Sequence, residues 1–91
     1  MSQLPTVGRH VLYTLSGHDA DTITVARKAA GPHLVQGNSV DEGQVYPATV
    51  VRTFGGDHVN LQVMLDGTDV YWATSRAEGT GPGTWSWPPQ D

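Results

Sequence analysis

The stretch YWATSR places Trp72, Thr74, Ser75 and Arg76 close together, and Thr84 and Trp85 return in GTWSWPP near the end of the chain. An indole face stacks on a flat base, a guanidinium forks onto phosphate oxygens, and hydroxyls supply the remaining hydrogen bonds. With Tyr13, these residues make a candidate ligand-binding set for a flat base that carries a phosphate. Arg9 and Arg52 can add charge, although exposed arginines are commonplace. Filling the ends of a small fold accounts for any one ring taken singly. The grouping of rings, hydroxyls and a guanidinium is what points to a site. The same aromatic walls, beside a surplus of carboxylates, also suit a cage for a methylated cation.

Two parity rules constrain these rings. Tyr71 and Trp72 are adjacent on an extended segment, so they point to opposite faces and only one can lie fully in the core. Trp85 and Trp87 share parity and lie on one face, a flat aromatic patch if exposed and a lid if buried.

Other chemistry finds little support. His10, His18, His33 and His58 are scattered, with no spacing that gathers a metal ion. HDAD at His18 to Asp21 is an acidic helix start that the helix dipole explains by itself. DGTD at Asp66 to Asp69 lacks the ligands and the distal glutamate of a calcium loop and reads as a hairpin turn. Asp41 and Glu42 lie in a polar loop and read as solvated charges, not as an acid/base pair. There is no GxSxG elbow and no cysteine nucleophile. The chain is expected to be non-enzymatic, with no cofactor and no metal site.

The elements that position the candidates follow from periodicity. GRHVLYTL alternates as a first strand, with Arg9, Val11 and Tyr13 on one side. Ser16 is a cap for a helix of about three turns in GHDADTITVARKAAGP, with acids first, Arg27 and Lys28 last, and Gly31-Pro32 as the stop. Its apolar stripe is narrow and made of small side chains, so the helix leans on a barrel or on a partner chain. HLVQGNSVDEGQ is a polar loop, ordered or mobile. VYPATVVRTF, HVNLQVML and VYWATS form a meander, with Val59, Leu61, Val63 and Leu65 inward. Pro47 lacks a ladder donor, which predicts an edge strand or a bulge near the start of the second strand. GTGPGTWSWPP is a short last strand stopped by Pro88-Pro89. The expected fold is mainly β: one domain over residues 1–91, a small SH3-like or Tudor-like five-stranded barrel with one helix inserted after the first strand.

Composition narrows the partners. The chain has 91 residues, enough for one domain in which folding hides about two-thirds of the surface. It has no cysteine, so packing alone must hold it. MSQLPTVGRH shows no basic-then-apolar leader, and no stretch approaches the roughly 18 apolar residues of a membrane span. A soluble, unsecreted chain without membrane contact is expected. Acids outnumber bases nine to five. Binding to long nucleic acid, which needs many phosphate contacts, is therefore not expected, whereas a small anion held by one or two arginines is.

The order GRHVLYTLS, YPATVV, VNLQVMLDG, WATS and PGTWSWP resembles a group of small uncharacterised phage and prophage proteins, over most of the chain. The chain is also similar to the small phage sponges that sequester cyclic nucleotide signals of CBASS-type bacterial immunity. That resemblance implies immune evasion by binding a cyclic dinucleotide or trinucleotide without cleaving it, in the cytoplasm of the infected host. It also implies a homo-oligomer whose interface builds the pocket. No residue-level motif carries over, so the candidate residues rest on their chemistry, and the net negative charge counts against an anionic ligand. The alternative is an SH3/Tudor-like interaction module that docks a host or virion protein through its aromatic face.

Overall fold

The computed structural model describes residues 3–89. Five strands form one antiparallel sheet: β1 (His10–Thr14), β2 (Val45–Thr53), β3 (Val59–Met64), β4 (Val70–Arg76) and β5 (Trp85–Ser86). One helix, α1 (Gly17–Ala30), lies between β1 and β2. The order across the sheet is β4-β3-β2-β1-β5. The mainly β fold with one inserted helix is thus present, but the sheet does not close into a barrel. Beyond β4, among the described residues, a single parallel bridge joins Glu78 to Trp85. Its bonds are Trp85 N–H to Ala77 O (3.1 Å) and Gly79 N–H to Trp85 O (2.9 Å).

Alternation builds the core as the strand pattern predicts. Val11 and Tyr13 of β1, Ala48 and Val50 of β2, and Val59, Leu61 and Val63 of β3 all point inward, with Leu15, Leu65, Ala73 and Trp85 completing the layer. Pro47 does not mark an edge, because β2 is the middle strand. The bonds from Leu15 N–H to Gln44 O and from Val50 N–H to Arg9 O put the even-numbered β2 residues in the β1 ladder. The nitrogen of Pro47 therefore faces β3, where the register begins only at Ala48. The β2 irregularity falls between Val50 and Arg52, at the other end of the strand.

Ser16 caps α1 through a reciprocal box: its side chain accepts from Asp19 N–H, and the Asp19 carboxylate accepts from Ser16 N–H. Gly31, at φ 91°, ends the helix in a backbone region that favours glycine. At 14 residues the helix runs to about four turns, one longer than predicted. It buries only Asp19, Ala20 and Ile23.

The segment after α1 is an ordered loop, pinned to the β3–β4 turn. Thr68 N–H donates to Gln36 O (2.7 Å) and Asn38 N–H to Asp66 O (2.9 Å), around a bridge between Gly37 and Gly67. Arg27 locks this junction with a two-pronged bond to Asp69 (2.9 and 3.0 Å) and a third to Asn38 O (2.7 Å). That bond holds the Asp69 carboxyl below its ordinary value. A Cβ on Gly67 would sit 2.5 Å from Gln36 O and 2.8 Å from Gly37 Cα. Gly67→Ala is therefore expected to cost about 1–3 kcal/mol through backbone displacement, read by urea denaturation. Faster amide exchange at Asn38 and Thr68 would accompany it, and unchanged exchange there would refute the account.

Candidate functional site

β4 decides which of the candidate residues can meet. Val59 pairs with Arg76 and Leu61 with Ala73, so Asn60 alone faces both Thr74 and Ser75. This is a β-bulge, and it shifts the side-chain parity by one residue. In a regular strand Trp72, Thr74 and Arg76 would share a face. Here Trp72 and Thr74 point outward and Arg76 turns into the fold. Ser75 takes φ 55°, an uncommon conformation for a residue with a Cβ, and its N–H is held by Asn60 Oδ1 at 2.8 Å.

Inside the fold, Arg76 meets Asp19. The Asp19 side chain is fully buried and its Oδ1 accepts from Arg76 Nη2 at 2.8 Å. The same oxygen accepts from the Tyr71 hydroxyl (2.6 Å), while Oδ2 accepts from the Tyr13 hydroxyl (2.5 Å) and Ser16 N–H (2.9 Å). The Arg76 guanidinium also lies 5.8 Å from the centre of the Tyr13 ring. One carboxylate thus ties the start of α1 to β1 and β4. Burial pushes the Asp19 carboxyl up, but hydrogen bonds from Tyr13, Tyr71 and Ser16 outweigh it and leave the group below its ordinary value. Burial and the Asp19 charge push Tyr13 up, and they push Tyr71 up to about 12.

The remaining candidates separate in the same way. Tyr13 and Trp85 are fully buried, so neither presents a surface to a ligand. Trp85 packs edge-on against half-buried Trp87 at 5.2 Å, and its Nε1 donates to Asp57 O at 2.9 Å. Thr84 is half-buried and donates to Gly81 O (2.6 Å), closing the turn into β5. Trp72, Thr74 and Ser75 are exposed. The seven residues therefore form no single surface: three face solvent, and Arg76 is engaged by Asp19.

Asp19 and Tyr71 were not candidates on sequence. The capping spacing S-x-x-D accounts for Asp19 locally, and its partners Tyr71 and Arg76 lie 52 and 57 residues away. Nothing in the chain's local pattern links them.

The outer face of the sheet has a different character. Trp72, 60% exposed, pairs across strands with Gln62, which pairs with Thr49, which pairs with His10. The adjacent row sets Val70 against Met64, both exposed. Outward positions Val45, Pro47, Thr49 and Val51 of β2 continue the surface without charge, and Arg52, opposite Asn60 after the irregularity in β2, puts a guanidinium at its far end. Among the described residues no cluster of His, Asp or Glu suits a metal ion, and no helix is long and apolar enough to cross a membrane. Comparison with family models, with curated proteins and with solved structures returns no match.

Proposed function

We propose that the protein is a non-catalytic interaction module that docks another protein through the outer face of its sheet, with Trp72 as the anchor. The observation that carries this reading is a solvent-exposed, mostly apolar stretch of the outer sheet face, where the guanidinium of Arg52 lies at the far end of β2 opposite Asn60. Val70 and Met64 adjoin a solvent-facing tryptophan, and exposed Val45 and Val51 lie two strands away on β2, on a chain with net charge −4. Exposed apolar patches of this kind mark interaction sites, and a central tryptophan is a frequent hot spot. At the finer level we read the sheet as an open SH3-like barrel, with the Glu78–Trp85 bridge as its seam. The phage resemblance makes a host or virion protein in the infected cell the partner. Affinity capture with the intact chain and with Trp72→Ala is the test. A specific protein retained by the first and lost by the second, with both variants folded, is expected. Equal capture by both would refute the reading.

Sequestration of a cyclic dinucleotide or trinucleotide is the second reading, supported by two stacked guanidiniums. Arg9 lies 4.9 Å from the Trp87 ring centre and Arg52 lies 5.3 Å from that of Phe54. Neither is paired with a carboxylate among the described residues. Arg76 supports it less, since Asp19 already neutralises its charge. Titration calorimetry against a panel of cyclic nucleotides, followed by recovery of intact ligand after heating, tests it. Absence of heat across the panel ends this reading, and recovery of a cleaved product would make the protein an enzyme.

A further inference from the structure

We infer that α1 is the interface of a homodimer, packing antiparallel against α1 of a second copy about a twofold axis near Thr24 and Val25. The helix gives its own sheet only Asp19, Ala20 and Ile23. At about 100° per residue, Val25 falls at the centre of the opposite face, with His18, Thr22 and Ala29 near it along the axis. This face is open to solvent: Val25 is 67% exposed, and His18, Asp21, Thr22, Val25 and Ala26 line a shallow groove of ≈ 380 Å³. A helix face that meets only water ordinarily carries long charged side chains. Thr22, Val25, Ala26 and Ala29 are instead short enough to let two helix axes approach to about 8 Å.

Charge identifies what covers the face. Asp21 and Lys28 stand seven residues apart on the same flank, about 10.5 Å along the axis. They cannot reach each other, and neither forms an ion pair within the chain among the described residues. Antiparallel packing about a twofold axis brings like flanks together with their order reversed. Asp21 of each copy then meets Lys28 of the other, so the pattern is self-complementary. Parallel packing about a twofold axis carries the charged flanks to opposite sides and makes neither pair. A single patch that satisfies itself in this way fits a second copy of the chain.

Sedimentation equilibrium on the full chain over a concentration series tests the interface, using Asp21→Lys, Lys28→Asp and the double exchange. The wild type is expected to dimerise. Each single reversal replaces two attractive contacts by two repulsive ones and is expected to raise the dissociation constant about tenfold or more. The double exchange restores association, and an equimolar mixture of the two single variants forms a heterodimer, because one flank is then wholly cationic and the other wholly anionic. Both positions are exposed, and circular dichroism confirms that each variant folds. A wild-type chain that stays monomeric at its highest concentration would overturn the interface. So would a double exchange no tighter than the single reversals, or a mixture that fails to associate.

Discussion

Asp19→Ala is expected to lower the unfolding free energy by about 3–5 kcal/mol, the cost of stripping a buried charge pair of one partner. The substitution leaves the inward-turned guanidinium of Arg76 without its counter-charge, and the hydroxyls of Tyr13 and Tyr71 without their acceptor. It also removes the acidic half of the capping box at Ser16. A domain of this size has roughly 5–15 kcal/mol in all, so the variant should melt well below the wild type in a thermal scan. Asp19→Asn keeps the shape and one acceptor but loses the charge, and it is expected to fall between the two. Equal stability of Asp19→Ala and wild type in urea would show that the cluster holds nothing together.

The same cluster sets the pH dependence. The Asp19 carboxyl has a folded-state pKa below its ordinary value of 3.8. Its contribution is therefore fully present above that value and is lost as pH falls through the lower folded-state value. Asp69, held by Arg27, acts in the same direction. Tyr71 is raised from 10.0 to about 12, so its contribution is complete below 10 and is lost as pH rises through about 12. Stability should form a plateau through neutral pH with a fall at each end. In Asp19→Asn the acid limb should flatten, leaving the part due to Asp69. An unchanged acid limb would assign acid unfolding to other carboxylates.

Trp85→Ala is expected to cost about 3–5 kcal/mol as well, by a different route. Its indole is fully buried, touches Trp87 edge-on and bonds to Asp57 O, and it lies in a strand of only two residues. Removing it opens a cavity between β1 and the segment after β4 and leaves β5 with little reason to dock. Trp72→Ala removes the same side chain from the outer face and should change stability by about 0.5 kcal/mol or less. The contrast is measured by denaturation of both variants side by side. Comparable losses would mean that the outer face is packed in solution, and comparable tolerance would mean that β5 contributes nothing to the fold.

Much of this architecture was legible from local pattern. Alternation in HVNLQVML placed Val59, Leu61 and Val63 inward because a strand has a period of two and one face is buried. Ser16 and Gly31 bounded α1 because the orphan backbone groups at a helix start need a cap and the chain leaves the helix through a positive φ that favours glycine. Adjacent Tyr71 and Trp72 had to diverge, and they do: Tyr71 packs on the core and Trp72 meets solvent. Pro47 misled because a missing donor says only that one side of the strand is unpaired at that residue. It does not say on which side the neighbouring strand stops.

The candidate site was less legible. The grouping of Trp72, Thr74 and Arg76 assumed an unbroken strand, and the extra residue at Thr74 and Ser75 reverses the parity beyond it. No propensity of ATS announces that bulge. It is stabilised by Asn60 from β3 and by the attraction between Arg76 and Asp19, both remote along the chain.

By itself, then, the sequence determined the strands, the capped helix, the absence of thiol chemistry and the inward rows of the core, because short-range sterics and hydrophobic periodicity act on neighbouring residues. Only the tertiary structure decided that Arg76 belongs to a buried carboxylate while Trp72 belongs to solvent. Electrostatic and hydrogen-bond partners are chosen by distance in space, and a single inserted residue in β4 is enough to exchange one face of the sheet for the other.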